Sequence, residues 1–111
     1  EVKVVLDKQN NALYFSREPI PSRKKGILEV PMKKQVCVIP FTRDFLLEYN
    51  EMSPTPLEVI ESVDMMRILE SGGQVKMINT VYTTKAVDTE EDLHRVVSIM
   101  KKDKLFESYK K

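Results

Sequence analysis

Glycine is scarce in this sequence: Gly26, Gly72 and Gly73 are the only three among 111 residues. That scarcity excludes a GxGxxG turn and a Walker-type phosphate loop, which need closely spaced glycines to bring backbone N–H groups against phosphate. A single cysteine, Cys37, excludes an internal disulfide and a zinc site built from several cysteines. His94 is the only histidine, so no imidazole pair is available for proton shuttling or metal binding. Neither sign of charge dominates. Eighteen Lys and Arg stand against seventeen Asp and Glu, a net +1 that supplies no global field for nucleic acid or an anionic membrane. No apolar run approaches the roughly 20 residues of a membrane-spanning helix. The chain opens on Glu1 and a strand-like Val2–Leu6 run, without a basic-then-apolar leader. A cytoplasmic protein and a piece of something longer are expected from that opening.

What is present is ordinary for one globular domain with one modest core: 41% hydrophobic and 32% charged residues. Val2–Leu6 and Ala12–Phe15 flank the polar run Asp7–Asn11, which predicts a hairpin. From Pro19 to Lys34 the chain is rich in breakers and basic residues (Pro19, Pro21, Arg23, Lys24, Lys25, Gly26, Pro31, Lys33, Lys34), an extended excursion. Aromatic residues are not interleaved with these charges as stacking on bases would need, so a solvated loop is preferred over a polyanion site. Val36–Ile39 is continuously apolar and predicts a buried strand ended by Pro40, with Cys37 a packed thiol and not a nucleophile.

Three helices are predicted. Thr42 caps a short one carrying Phe45, Leu46 and Tyr49. Thr55, Pro56 and Glu58 form a capping box for a second, which should run to Leu69 or Glu70 and stop at Gly72-Gly73. Asp88–Asp92 opens a third, with Leu93, Val96, Val97 and Met100 at helical spacing. Val75–Ile78, extended by Val81 and Tyr82, reads as a further strand, and Lys101–Lys111 as a basic end that frays apart from Leu105 and Phe106. The sum is a mixed α/β chain of about four strands and three helices.

Some residues break these patterns. Leu57, Ile60, Val63 and Ile68 fall on one helical arc, and Asp64 and Arg67 lie inside it. They read either as an ion pair at the rim of a core or as contacts aimed into a cleft, since desolvated charge is tolerated more readily at functional sites. Asp88 reads on pattern as a helix cap, with Glu91 closing a capping box, and alternatively as a hard-cation ligand that would need phosphate or a second carboxylate. His94 falls off the apolar face and reads as exposed. Arg17, at a strand end, faces either solvent or an anion.

Ala12-Leu13-Tyr14-Phe15-Ser16-Arg17-Glu18-Pro19-Ile20-Pro21 resembles the "ALYFSRxPIP" signature of the 3-deoxy-manno-octulosonate (Kdo) cytidylyltransferases, the CMP-Kdo synthetases. Val2–Asp7 is similar to the strand that precedes that signature. Pro54-Thr55-Pro56-Leu57-Glu58 with Ile60-Glu61 and Arg67 resembles the family's "PSPLEHIE…LR" helix, and Val87–Leu93 its "VDTPEDLERV" close. The three motifs run in the family's order across nearly the whole chain. The first is specific, whereas "VDTPEDL" is shared more widely among cytidylyltransferases.

The resemblance implies that residues 1–111 form the C-terminal half of a three-layer α/β/α nucleotide-diphospho-sugar-transferase-like fold, the sugar-binding and dimerisation portion, with the CTP-binding half absent. It implies a reaction in which the anomeric hydroxyl of a 3-deoxy sugar acid attacks the α-phosphorus of CTP, releasing pyrophosphate and giving a CMP-sugar for lipopolysaccharide assembly. It further implies Mg²⁺ at Asp88, sugar contact at Asp64, a contact of Arg17 with the substrate carboxylate, substrate-side positions at Gln35 and Arg67, and dimerisation through Val36–Tyr49, a segment that also helps line the sugar pocket. Gln35 stands where the family often has a sugar-contacting histidine, Ile39 replaces a tyrosine, Met65 a glutamine and Glu90 a proline. Losing hydrogen-bond partners from a sugar pocket points to altered acceptor specificity. With half of the charge-neutralising machinery elsewhere, the chain alone is expected to be inactive and to self-associate as a homodimer or strand-exchanged oligomer. The alternative is a non-catalytic oligomerisation module derived from the same family. A start codon close to Glu1 would favour that module, and a continuous upstream frame encoding a glycine-rich loop the enzyme. A third reading, a basic nucleic-acid binder, rests only on Arg23–Lys34 and predicts steeply salt-dependent binding.

Overall fold

The structure, a computed structural model, describes residues 1–24, 31–81 and 85–109. The chain divides into two compact units, Glu1–Asn79 and Thr80–Lys111. The first holds strands β1 (Lys3–Leu6), β2 (Ala12–Ser16) and β3 (Lys33–Lys34) and helices α1 (Arg43–Glu51), α2 (Pro56–Glu61) and α3 (Met66–Glu70). The second holds α4 (Glu90–Met100) and α5 (Lys104–Tyr109). The chain is therefore mixed α/β, with three strands and five helices among the described residues.

The predicted hairpin forms, and its turn is built locally. The Asp7 carboxylate accepts from the N–H groups of Gln9 (2.8 Å) and Asn11 (2.9 Å), and Asn10 adopts the left-handed φ of 66° that Asn tolerates. Hydrogen bonding from the Asn11 N–H, foremost, holds the Asp7 carboxyl below its ordinary range. β1 and β2 pair antiparallel with Val4 opposite Phe15, and a register irregularity between Val5 and Leu6. β3 adds to the other side of β1, giving the order β2-β1-β3. Val4, Ala12 and Phe15 face the core with Val63, Met65, Met66 and Ile68. Across the free edge of β2, the Phe15 N–H donates to the Met66 sulfur at 3.4 Å, so α3 and not a fourth strand covers that point of the edge.

Four expectations are corrected. Val36–Ile39 is not a strand: Cys37, Val38 and Ile39 are exposed, Val38 by 80%, and the strand in this region is Lys33–Lys34. Apolar runs signal burial only where a covering surface exists, and none covers these side chains among the described residues. Cys37 is accordingly an exposed thiol. Secondly, the helix beginning at Pro56 breaks at Ser62, which takes φ 54°, and resumes at Met66. The break turns Val63, Met65, Met66 and Ile68 inward and leaves Ile60 73% exposed, so the single apolar arc does not exist. Thirdly, Val75–Met77 makes one antiparallel bridge, Asn11 with Lys76, and Ile78 and Val81 are exposed outside any strand; Tyr82 lies outside the described residues. Fourthly, residues 104–109 form α5 and do not fray, because the Asp103 carboxylate accepts from the N–H groups of Leu105 (2.7 Å) and Phe106 (3.1 Å).

Other local signals hold. The Thr42 hydroxyl accepts from the Phe45 N–H at 3.3 Å and starts α1. At the end of α3, Gly72 takes φ 85°, and the N–H groups of Gly72 and Gly73 reach back to the carbonyls of Leu69 and Ile68. This is the Schellman arrangement, in which a residue without Cβ reverses the chain at no steric cost. The predicted capping box forms at the start of α2, with Glu58 accepting from the Thr55 N–H at 3.1 Å. The basic excursion falls partly on residues 25–30, outside the described residues.

Candidate functional site

The break at Ser62 is the point where several elements of the first unit converge. From the end of β2, Arg17 donates through Nε to the Glu61 carbonyl (3.2 Å) and through Nη2 to the Ser62 carbonyl (2.7 Å). These carbonyls lie where α2 runs out of internal partners, and a guanidinium fork satisfies both. Arg17 is exposed and forms no ion pair among the described residues. It therefore presents a cation whose guanidinium is held in place by two carbonyls.

Beneath it, Glu61 joins β2 to α2. The Tyr14 hydroxyl donates to its Oε1 at 2.8 Å and the Ser16 hydroxyl to its Oε2 at 2.7 Å. Hydrogen bonds from Ser16, then Tyr14, hold the Glu61 carboxyl below its ordinary range, and the bond to Glu61 raises the Tyr14 phenol. Both shifts keep a carboxylate accepting from two hydroxyls across neutral pH. With both oxygens engaged, Glu61 is a clamp and not a free base.

Asp64 sits two residues beyond the break, exposed, with no side-chain bond or ion pair among the described residues. The Asp64–Arg67 ion pair, one of the two readings the pattern left open, does not form. Arg67 grips Glu58 with two hydrogen bonds, Nε to Oε2 at 2.8 Å and Nη2 to Oε1 at 2.6 Å, and donates through Nη1 to the Met52 carbonyl at 3.3 Å. Its guanidinium also lies 4.7 Å from the centre of the Tyr49 ring. The Arg67 bond, foremost, holds the Glu58 carboxyl below its ordinary range and raises Arg67 in turn. Arg67 thus ties the end of α1 to the start of α2. Gln35 is half-buried beside β1, its N–H bonded to the Val2 carbonyl at 2.8 Å. Met65 is buried in the core, so its thioether is not offered to a sugar.

Sequence reasoning gave Glu58 only as a capping-box residue, quoted Tyr14, Ser16 and Glu61 only within motifs, and placed Tyr49 on its helix within the segment that the resemblance implies for dimerisation and for lining the sugar pocket. A signal existed: Tyr14 and Ser16 share one face of a strand, and Glu58 and Glu61 share one face of a helix. Which polar faces meet is a tertiary fact.

In the second unit, Asp88 lies just before Thr89, the N-cap of α4, and is exposed. The cap is one residue later than the pattern predicts. Thr89 accepts from the Asp92 N–H at 3.1 Å, and Asp92 accepts from the N–H groups of Thr89 and Asp88, both at 3.3 Å. Asp88 and Glu91 do not form the box. The Asp88 carboxylate is left without a hydrogen bond among the described residues, and it fits Mg²⁺ as one hard oxygen donor. No group of three or more His, Cys, Asp or Glu that could hold a metal ion occurs among the described residues. His94 is exposed, as predicted. No helix among the described residues is long and apolar enough to cross a membrane.

Comparison with known proteins places these observations in a family. The sequence model described as cytidylyltransferase matches residues 1–87. The chain is 41% identical over 105 residues to a 3-deoxy-manno-octulosonate cytidylyltransferase of Fusobacterium nucleatum, covering 94% of this chain and 42% of that protein. It is 41% identical over 100 residues to the protein of the same description from Solibacter usitatus, covering 90% and 40%. Its fold is similar to a structure of CMP:2-keto-3-deoxy-manno-octonic acid synthetase complexed with CTP, with a TM-score of 0.72 and 28% identity over 91% of this chain and 42% of the other. The chain spans about two fifths of the length of the curated relatives it matches.

Proposed function

Because the chain belongs to the cytidylyltransferase family, we propose that it forms the C-terminal, sugar-acid-binding portion of an enzyme joining CTP to a 3-deoxy sugar acid, with release of pyrophosphate. The observation that carries this reading is the 41% identity to a 3-deoxy-manno-octulosonate cytidylyltransferase across 94% of this chain. The corner at Ser62 supports it chemically. A sugar acid offers a carboxylate and several hydroxyls. Arg17 presents a cation with donors fixed by two carbonyls, and Asp64 an exposed acceptor two residues from that corner. Arg17 then binds the carboxylate, Asp64 accepts from hydroxyls, and Gln35 lines the same substrate. Arg67 belongs to this site through the frame it holds, since three of its donors are committed to Glu58 and Met52.

Asp88 would hold Mg²⁺ jointly with phosphate oxygens, and the ion when bound neutralises charge on the phosphates. On this reading the CTP-binding half lies outside these 111 residues, which span about two fifths of the relatives' length. Phosphoryl transfer is mostly positioning and charge neutralisation, so the 111-residue chain alone is inactive. The product feeds lipopolysaccharide assembly in the cytoplasm, and the exposed Val38, Ile39, Leu46 and Leu47 make the chain a homodimer or strand-exchanged oligomer. Gln35 and Ile39 in place of hydrogen-bonding residues shift the acceptor toward a relative of Kdo.

The test is pyrophosphate release from CTP and Mg²⁺ with Kdo or a related 3-deoxy sugar acid. A longer protein carrying this sequence turns over, and the purified 111-residue chain does not. Turnover by the chain alone overturns the half-site reading. No turnover by the longer protein with any such acid favours the non-catalytic module, and selective turnover of Kdo removes the altered specificity.

A further inference from the structure

The Asp64 turn is held from three sides. Arg17 of β2 binds the carbonyls of Glu61 and Ser62, and the backbone N–H of Arg67 in α3 donates to the Asp64 carbonyl at 3.1 Å. The third holder is Tyr49 of α1, whose hydroxyl donates to that same carbonyl at 3.3 Å. From the sequence, Tyr49 lies on the helix that Thr42 caps, at the end of the segment implied for dimerisation and for lining the sugar pocket, with no contact assigned to it. Its ring has two packed neighbours, with the Phe41 ring centre 5.7 Å away and the Arg67 guanidinium 4.7 Å from its centre. That guanidinium is itself locked by Glu58 and Met52. A phenol immobilised in this way has one well-defined hydroxyl position, and that position meets the backbone of the residue whose carboxylate is exposed.

We propose that Tyr49 is a positioning residue that sets the orientation of Asp64 toward the sugar acid. It touches no substrate in this role. It fixes the backbone from which the Asp64 carboxylate projects, and it links α1, with its exposed apolar side chains, to the substrate corner. The proposal rests on the reading of Asp64 as a sugar contact. A turn held by two donors at one carbonyl keeps its φ and ψ when one donor is lost, but it samples a wider range. The cost appears in the geometry offered to the substrate and less in the fold.

Tyr49→Phe keeps the ring, its packing and its stacking with Arg67, and removes only the hydroxyl. In the longer cytidylyltransferase carrying this sequence, it should raise KM for Kdo about two- to tenfold while KM for CTP stays unchanged. Asp64→Asn should raise the same constant, and adding Tyr49→Phe to Asp64→Asn should change little, since both act through one contact. In the 111-residue chain, Tyr49→Phe should speed hydrogen exchange at the Arg67 amide, which shares the Asp64 carbonyl. Equal losses for CTP and Kdo, full additivity of the two substitutions, or unchanged exchange at Arg67 overturns the proposal. If Asp64→Asn leaves the Kdo KM unchanged, the reading of Asp64 as a contact falls, and the role of Tyr49 toward substrate falls with it. A Kdo effect of Asp64→Asn without one of Tyr49→Phe removes Tyr49 alone.

Discussion

Two stretches of the first unit have nearly the same apolar character and opposite fates. In β2, Ala12 and Phe15 are buried, and Phe15 is 0% exposed against Val4 and α3. In the run Val36–Ile39, the sequence is at least as apolar and β-branched, yet Cys37, Val38 and Ile39 are exposed. β2 has a hydrogen-bonded neighbour on one side, a helix across the other and a carboxylate, Glu61, that satisfies its hydroxyls. Val36–Ile39 has none of these among the described residues. Hydrophobicity specifies that a segment gains by being covered, while the covering surface is supplied elsewhere in the fold or by another chain.

The sharpest way to break this comparison is to truncate its buried side. Phe15→Ala removes a fully buried ring and should destabilise the chain by about 3–5 kcal/mol, a large part of the stability of a domain this size. Urea unfolding followed by circular dichroism checks it. A cost near zero would mean that the two stretches are equally exposed in solution.

The next effect is electrostatic and concerns the frame behind Asp64. Glu58 and Glu61 have folded carboxyl values below the ordinary 4.5, Glu58 chiefly through Arg67 and Glu61 chiefly through Ser16. A depressed carboxyl contributes stability that is fully present above 4.5 and is lost as the pH falls through the folded value. The wild-type chain should therefore lose stability below about pH 4.5, and Glu58→Gln should be less stable at neutral pH with a flatter acid limb. Thermal melts between pH 3 and 7 measure both slopes; parallel slopes would show that the Arg67 bond does not persist in solution.

How much of this was legible in the sequence follows the same division. The hairpin, the Thr42 cap and the Gly72-Gly73 stop depend on residues a few positions apart, and each forms as predicted. The break at Ser62 does not, because its carbonyls are satisfied by Arg17 from 44 and 45 residues away. Asp64 and Arg67 stood out as charges on a predicted apolar arc that the break at Ser62 removes. Of the two readings the pattern left open, the ion pair between them does not form, because Glu58 offers Arg67 a two-bond grip. The family resemblance was carried by short motifs, and those motifs contain the residues of the corner: Tyr14, Ser16 and Arg17 in one, Glu58, Glu61 and Arg67 in another.

A smaller effect separates capping from ligation in the second unit. Thr89→Ala removes the hydroxyl that caps α4 and should cost the helix about 1 kcal/mol, seen as lost helical circular dichroism in unit Thr80–Lys111. Asp88→Asn should leave the helix intact, since its carboxylate accepts no bond from α4 among the described residues. Equal losses of helix would return Asp88 to the capping role that the pattern first suggested, and would weaken its case as an oxygen donor kept free for a cation.

The smallest effect on folding is expected where the apolar run is exposed. At 80% exposure, Val38 already faces water, so Val38→Ser should change unfolding stability by no more than about 0.5 kcal/mol. Its effect should appear instead in association: sedimentation of the wild-type chain should show concentration-dependent self-association, weakened by the serine. The two readouts divide the possibilities cleanly. A loss of stability comparable to that of Phe15→Ala would mean that Val36–Ile39 is buried within the monomer, as the sequence pattern alone predicts. A stability change near zero with no change in association would mean that this run is covered by neither the chain's own core nor a second copy. Only unchanged stability with weakened association supports the contrast from which the comparison began, in which one apolar stretch is completed by its own fold and the other by a partner.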